Sequence, residues 1–286
     1  MTGLYDMLGV SRQNVSQKLH RVSKKAIAAK VALVLASDIR KDHPRMGCRK
    51  IYWKVADQMP MGRDQWENIL LSNGFRVQFP PNFKRTTYSI GNLYHPNLIE
   101  GLTLDGLNQV WQTDITYFEV NNKFYYLVFI EDIYSRRIIG RSVDYSMWAQ
   151  ANLRSLRQAI DLRGPETLKG LIHHSDRGGQ YINKEYVGEL RRLYIRPSMS
   201  KFAWQNAYCE RLNGIIKNEY LKCWSITSLE DLTRAVDKAV HLYNNDRPHS
   251  ALPGRMTPVE FEDRVTKGLF RFKPTMRLYS KDVDTR

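Results

Sequence analysis

The chain has 286 residues, and its 44 Lys and Arg side chains outnumber its 29 Asp and Glu side chains, which gives a formal charge of +15. A charge of this size favours a polyanionic partner, most often a nucleic acid, over a merely soluble basic protein. The longest apolar stretch is interrupted by Lys30 and Ser37, so we expect no membrane span. The three cysteines form no CxxC pair, which argues against a zinc ribbon or a disulfide framework and favours the cytoplasm.

The first predicted elements are two short helices at the N-terminus. An apolar segment ends at Gly9, and Ser11 is suited to cap a second helix that begins at Arg12. Two short helices around a glycine are typical of a helix-turn-helix motif, and an ordinary helical hairpin is the alternative. The apolar stripe of the second helix consists of Val15, Leu19 and Val22. Its polar side chains are candidates for contacting DNA bases or phosphates: Arg12, Gln13, Asn14 and Lys18.

A second predicted helical pair spans residues 47–59 and 64–75. Its first helix carries Arg49 and Lys50, which are candidates for docking on DNA, and packing against the rest of the protein is the alternative.

Residues 78–100 are rich in Pro, Asn and Thr and predict a linker. Within this linker, Lys84 and Arg85 are candidates for touching a phosphate backbone as it passes. A solvated loop is the alternative for both residues.

From residue 108 onward, the sequence predicts strands. The runs VWQTDITYFEV, KFYYLVFIEDIY and RIIGRSV are separated by short polar turns, so we expect three antiparallel strands. Helices and short strands then alternate, with helices predicted at 147–163, 182–194, 203–221 and 228–246 and strands at 168–176 and 195–200. This order predicts an α/β fold with a mixed sheet.

Three acidic residues are candidates for catalysis. Asp114 lies in an otherwise apolar strand, where a carboxylate is costly unless it is paired or binds a metal. Asp176 ends a predicted strand, where open α/β sheets place their ligands, and Glu210 lies on a predicted helix. If the three converge, they form an oxygen site suited to Mg²⁺ or Mn²⁺ and to in-line phosphoryl transfer. Taken singly, each acid has a structural explanation in an ion pair, a turn or a helix surface.

Several segments, taken in chain order, carry a family resemblance: WQTDITY (111–117), HSDRGGQY (174–181), SMS (198–200), NAYCERLNGIIKNE (206–219), YNNDRPHSAL (243–252) and TPVEFE (257–262). In these segments the chain resembles the bacterial insertion-sequence transposases of the two-frame type, whose second reading frame encodes a core like that of retroviral integrases. The resemblance extends over about residues 4–263.

The resemblance implies an RNase H-like fold with a mixed five-stranded sheet flanked by helices, preceded by an all-α, helix-turn-helix-type DNA-binding region. It also implies an Asp-Asp-Glu triad, which matches Asp114, Asp176 and Glu210, as catalytic residues and ligands of two Mg²⁺ or Mn²⁺ ions. The loop KFAWQ (201–205) is shorter than usual in the family, and Gln205 stands where the family has Asp. We therefore expect an altered loop over the active site.

Further residues are expected to support the site. Lys217 is a candidate for contacting a DNA end, and a solvated lysine is the alternative. Arg177 lies in a polar turn that could approach DNA, while His174 is expected to be a core histidine rather than a phosphate neighbour. Asn206 is expected either to orient Glu210 or to cap its helix. The residues at helical spacing on one face are Asn206, Glu210, Asn213 and Lys217.

The expected organisation is a DNA-binding region at 1–77, a linker at 78–104, an integrase-like core with C-terminal helices at 105–263 and a basic tail at 264–286. We expect a transposase that cleaves and joins double-stranded DNA at insertion-element ends and in target DNA, associated with the bacterial nucleoid. A homo-oligomer on DNA and the upstream-frame product of the same element are the other expected partners. The alternatives are an inactive DNA-binding regulator on an integrase-like core and a nuclease for RNA–DNA hybrids.

Overall fold

The structure, a computed structural model, describes residues 7, 9–78, 95–146 and 149–279. The chain divides into two compact units, residues 1–79 and 80–286. In the described ranges, no helix is both long enough and apolar enough to cross a membrane.

The helices described in the N-terminal unit are α1 (Arg12–Asp42), α2 (Cys48–Val55) and α3 (Arg63–Ser72). α1 begins where the sequence predicts, because the Ser11 hydroxyl accepts a hydrogen bond from the backbone N–H of Asn14 at 3.1 Å. The helix then continues for 31 residues, so the prediction of a short second helix is wrong. No glycine or proline interrupts the sequence between Gly9 and Pro44, and the alanines and lysines there favour helix continuation.

The hydrophobic core of this unit lies against the C-terminal half of α1. It contains the buried side chains of Ala32, Ala36, Ile51, Trp66 and Leu70. The predicted apolar stripe lies outside this core, since Leu19 is 65% exposed and Val22 is 58% exposed. Residues 12–27 are exposed apart from the half-buried Val15. The N-terminal half of α1 therefore presents its side chains to solvent.

The second unit is built around a mixed sheet. The strands described in this unit are β1 (Thr103–Leu104), β2 (Val110–Val120), β3 (Lys123–Asp132), β4 (Arg137–Asp144), β5 (Ile172–Ser175), β6 (Arg196–Met199) and β7 (Met276–Arg277). The five-stranded sheet has the order β4-β3-β2-β5-β6, and β1 pairs with β7 separately. β2, β3 and β4 pair antiparallel, whereas β5 runs parallel to β2 and β6. The predicted mixed five-stranded sheet is confirmed.

The β2–β3 turn sets the register of the central hairpin. Asn121 and Asn122 form this two-residue turn with φ values of 49° and 61°. Positive φ at both central residues suits the right-handed twist of a hairpin, and asparagine tolerates it better than most side chains. The resulting register pairs Asp114 with Phe129.

Helices cover both faces of the sheet. They are α4 (Ala149–Arg163), α5 (Lys184–Arg192), α6 (Ala207–Ile215), α7 (Leu229–Asn245) and α8 (Pro258–Thr266). Neighbouring residues of β3 point to opposite faces, so Ile130 packs in one core with Leu156 of α4. Phe129 packs in the other core with Leu212 of α6 and Val236 of α7. The sheet is thus buried on both sides.

The segment YNNDRPH joins the helices to the sheet. The Asn244 side chain accepts from the Ile138 backbone N–H at 2.9 Å and donates to the Ile138 carbonyl at 2.8 Å. The Arg247 guanidinium donates to both carboxylate oxygens of Glu219 at 2.8 and 2.9 Å. Glu219 lies in the π-helical turn Ile216–Tyr220 that follows α6, so these contacts fix the end of α6.

Candidate active site

Two aspartates lie on neighbouring parallel strands. Asp114 is part of β2, and Asp176 directly follows β5 at its carboxyl end. The β2–β5 ladder pairs Gln112 with His174, an offset of 174 − 112 = 62 residues. The aspartates have the same offset, 176 − 114 = 62, so continuing this register by two residues sets them opposite each other. Because side chains alternate along a strand, Asp114 shares the face of Gln112.

The site is crowded with negative charge. Burial raises the pKa of Asp114 to about 8, and repulsion from Asp176 and Glu210 adds to this increase. Burial also raises the pKa of Asp176, although the Gly178 backbone N–H donates to its Oδ1 at 3.0 Å. Asn213 Nδ2 donates to Asp114 Oδ2 at 2.8 Å. These contacts orient the aspartates but leave their charge undercompensated.

One face of α6 runs along β2. Glu210 lies in the first turn of α6 with its side chain exposed. One turn later, Asn213 reaches Asp114, and beyond α6 the Lys217 ammonium donates to the Thr116 hydroxyl at 2.5 Å. Burial lowers the pKa of Lys217. Lys217 is therefore a half-buried residue beside the candidate site and not a solvated lysine.

The three acids have the oxygen atoms that a divalent cation prefers, but their side chains are not grouped around one position. In the part of the chain that the structure describes, no three His, Cys, Asp or Glu side chains are grouped tightly enough to hold a metal ion. Even so, carboxylate oxygens are the ligands that Mg²⁺ and Mn²⁺ prefer. The buried Oδ1 atoms of Asn206 and Asn213 have no hydrogen-bond partner among the described residues. Undercompensated carboxylates beside unsatisfied amide oxygens fit a hard divalent cation.

His174 and Asn206 are both buried near the site. His174 is fully buried, its Nδ1 lies 2.9 Å from the Ser198 hydroxyl, and burial lowers its pKa to about 3. It is therefore a neutral core histidine. Asn206 precedes α6 and is 4% exposed, and its side chain does not cap the helix.

The predicted DNA-contacting residues fall into different environments. Those at the start of α1 are all exposed: Arg12, Gln13, Asn14 and Lys18. Arg49 is also exposed, but its guanidinium donates to both carboxylate oxygens of Glu67 at 2.7 and 3.3 Å. Lys50 is half-buried. Lys84 and Arg85 lie outside the described residues.

Arg177 connects two loops. Its Nε donates to the Ser200 carbonyl at 3.1 Å, and its Nη2 donates to the Lys201 carbonyl. The turn that follows Asp176 is thereby held against the loop that precedes α6. A contact between Arg177 and DNA would therefore have to leave these two hydrogen bonds in place.

Two glutamines near the site were not among the predicted site residues. The fully buried Gln112 donates from Nε2 to the Gln205 carbonyl at 2.9 Å. Gln205 Oε1 in turn accepts from the backbone N–H groups of Lys201 and Phe202 at 2.7 and 3.2 Å. The sequence did contain a signal for Gln112, which is a polar residue in an apolar strand, two positions before Asp114.

Comparisons with known proteins agree on the family. Residues 105–203 and residues 193–258 each match a family described as Integrase core domain. The chain is 32% identical over 200 residues to the transposase InsF for insertion sequence IS3A of Escherichia coli K12, which covers 68% of each chain. It is 29% identical over 224 residues to a 31 kDa protein of insertion element IS600 from Shigella sonnei, which covers 76% of this chain and 81% of that protein.

A solved structure is also similar. The catalytic core domain of HTLV-2 integrase in complex with magnesium is 23% identical and has a TM-score of 0.44. The match covers 58% of this chain and 99% of that domain.

Proposed function

Because this chain belongs to the insertion-sequence transposases that carry an integrase core domain, we propose that Asp114, Asp176 and Glu210 are the acids of its DNA transposition chemistry. The chain is a polynucleotidyl transferase of the Asp-Asp-Glu class. Strand cleavage at an element end and strand transfer into target DNA are both attacks of an oxygen on a phosphodiester. One set of residues can therefore serve both steps.

The observation that carries this proposal is the register of β2 and β5. Gln112 pairs with His174, and the same offset separates Asp114 from Asp176. The hydrogen bond from Asn213 to Asp114 brings α6, and with it Glu210, to the same strand. Among the described contacts, Asp114 accepts a hydrogen bond from the Asn213 amide and forms no salt bridge, so a structural ion pair does not account for its position in the strand.

The three acids would hold Mg²⁺ or Mn²⁺, and we propose two ions. Bound there, the ions supply activation of the attacking oxygen, from water or from a freed 3′-hydroxyl, and neutralise charge on the phosphate. Asn213 keeps the Asp114 carboxylate oriented. Lys217 supplies a positive charge beside Thr116, where a DNA end can approach. The protein thus contributes positioning and electrostatic compensation.

The remaining assignments complete the proposal. The exposed residues at the start of α1 bind double-stranded DNA at terminal repeats or at the target, within a DNA-binding region at 1–77. A linker at 78–104 joins it to the core at 105–263. The tail at 264–286 contains β7, which pairs with β1, and its basic side chains contact DNA without sequence preference. Pairing two element ends calls for a homo-oligomer on DNA at the nucleoid. The upstream-frame product is a further partner.

Substitution of the acids tests the assignment. Asp114→Asn, Asp176→Asn and Glu210→Gln should each abolish cleavage and strand transfer of labelled element-end DNA in Mg²⁺, because each removes a charged ligand. DNA binding, measured by gel shift, should stay within about twofold of wild type. Glu230→Gln is the matched control, since Glu230 is also an exposed acid in the first turn of a helix.

Two outcomes would contradict the assignment. Full activity of any of the three variants removes that residue from the mechanism. Binding of end DNA by the wild type without any nicking, in Mg²⁺ or Mn²⁺, favours the inactive regulator. A substrate panel that includes RNA–DNA hybrids separates transposition from general nuclease activity.

A further inference from the structure

We propose that Phe202 and Trp204, on the loop before α6, form a stacking surface for an unpaired nucleobase at the DNA end. The inference rests on the proposed function, because it takes the phosphate at the candidate acids as the neighbour of that base. It goes further by assigning a nucleobase subsite to a loop that the sequence identified only as unusually short.

The two rings are exposed and parallel. Phe202 is 59% exposed and Trp204 is 50% exposed. Their planes lie within 7° of each other, with ring centroids 6.1 Å apart. Large aromatic side chains are normally buried, so two adjacent exposed rings in a stacked arrangement mark a surface suited to a partner. A flat ring system is the partner that parallel aromatic faces accommodate best.

The loop is held in place before any ligand binds. The Gln205 side chain accepts hydrogen bonds from the backbone N–H groups of Lys201 and Phe202, and Gln112 donates a hydrogen bond to the Gln205 carbonyl. The ring of Tyr279 packs edge-on against Trp204, with centroids 5.7 Å apart. Since the backbone on both sides of Trp204 is tied down, little conformational freedom is lost when a base stacks.

The same contacts locate the rings beside the candidate acids. Gln112, which binds the loop, lies two residues before Asp114 on β2. Arg177, which binds the carbonyl groups of Ser200 and Lys201, directly follows Asp176. The loop is therefore hydrogen-bonded to both segments that carry the aspartates. We therefore assign to the rings the base that adjoins a phosphate at these acids.

The chemistry favours a base over an apolar protein segment. The surrounding surface belongs to a chain with a charge of +15, and the exposed Lys201 adjoins the rings. Aromatic faces next to cationic side chains are the usual arrangement for single-stranded nucleic acids, and the stacking is tolerant of sequence. A base must leave its pair to offer a face, and stacking offsets the cost of opening a terminal pair.

The test uses the full chain and photocrosslinking. Element-end duplexes carry 5-iodouracil at each of the terminal positions in turn, and crosslinked peptides are mapped by mass spectrometry. We expect crosslinks to Phe202 or Trp204 in the wild type and equally in Asp114→Asn, which retains the loop. Since crosslinking needs no cleavage, a failure of the catalytic assignment leaves this readout intact and the two failures are distinguishable.

Substitutions separate stacking from simple apolar contact. Trp204→Leu should lose the crosslink and weaken binding of the end about 10- to 100-fold, the range for loss of one base stack. Trp204→Phe should keep the crosslink and the wild-type affinity for the end. Tyr194→Leu is the control and should match wild type. Tyr194 is 71% exposed and precedes β6, whereas the loop with Phe202 and Trp204 follows β6.

The inference would be overturned by the lack of a crosslink to either ring in the wild type, by wild-type binding of Trp204→Leu, or by a Trp204→Phe variant that binds as weakly as Trp204→Leu. A change of oligomeric state in Trp204→Leu without a change in DNA binding would likewise overturn it, because a second copy of the chain would then be the occupant of the rings.

Discussion

Glu131 is a buried acid outside the proposed triad. It lies on β3, is 2% exposed, and its Oε2 has no hydrogen-bond partner among the described residues. Burial raises its pKa to about 7, although Arg136 and Arg211 act in the opposite direction. The carboxylate form is therefore disfavoured in the folded protein, which makes the stability of the chain depend on pH.

The sign of that dependence follows from the two states. A glutamate has a pKa of about 4.3 in an unfolded chain, so the folded state binds the proton more tightly. The resulting stability is fully present below pH of about 4 and is lost as the pH rises through about 7. Glu131→Gln should flatten the decrease in Tm between pH 4 and pH 8 and raise Tm at pH 8 by several degrees.

Thermal unfolding followed by circular dichroism checks this prediction. Glu119→Gln is the control, since Glu119 is an exposed acid on the neighbouring strand β2 and its removal should leave the pH dependence unchanged. Identical pH dependence in the wild type and in Glu131→Gln would show that Glu131 does not titrate in this range.

At the residue scale, the sequence identified chemistry better than geometry. Asp114 and Asp176 could be selected because each is an acid at an unusual strand position. Their juxtaposition could not be derived, since the 62-residue offset has meaning only once β2 and β5 are known to pair in that register. Helical spacing did predict the shared face of Asn213 and Lys217, but not which strand residues they would contact.

At the element scale, turn chemistry was more informative than apolar periodicity. The turn at Asn121 and Asn122 predicts a hairpin because these residues tolerate positive φ. The stripe on α1 did not predict burial, since Leu19 and Val22 are exposed. Periodicity shows which side chains share a face, whereas burial depends on whether another element packs there, and residues 12–27 have little contact with one.

The contact between α4 and β4 depends on Gly140. A Cβ on this residue would lie 2.3 Å from the Ser155 carbonyl oxygen, a backbone atom that cannot move freely. Gly140→Ala should therefore force the helix from the sheet and lower the free energy of unfolding by about 1–3 kcal/mol.

Chemical denaturation measures this change, and Gly188→Ala is its control. Gly188 lies within α5, and a Cβ there would have no atom within 4 Å. That substitution should stabilise the protein by about 0.5–1 kcal/mol, because alanine favours a helix over glycine. A stable Gly140→Ala variant would mean that α4 can shift without cost.

At the scale of the whole molecule, charge is the feature that composition predicts most directly. Residues 1–100 carry 16 Lys and Arg against 7 Asp and Glu, but the structure shows that these cations are not equivalent. Arg12, Lys18 and Arg49 are all exposed, but Arg49 is paired with Glu67. The pairing could not be derived from composition because it depends on how α2 packs against α3.

This difference predicts a salt effect. The double substitution Arg12→Ala and Lys18→Ala should weaken DNA binding and lower the slope of log K against log salt by about 0.9 for each phosphate that the protein no longer neutralises. Fluorescence anisotropy at several salt concentrations measures the slope. Lys41→Ala is the control, since the Lys41 ammonium already pairs with Asp38 at 2.8 Å. An unchanged slope in the double variant would show that DNA does not bind at Arg12 and Lys18.

The uninterrupted course of α1 sets a distance. At 1.5 Å per residue, Arg12 lies about 24 Å along the axis from Ala28, where packing against the rest of its unit begins. That length corresponds to about seven base pairs of duplex. Arg12 and Lys18 are thus carried on an exposed length of helix. Inserting or deleting about seven residues, which is about two turns, would change how far they extend while nearly preserving the direction in which their side chains point.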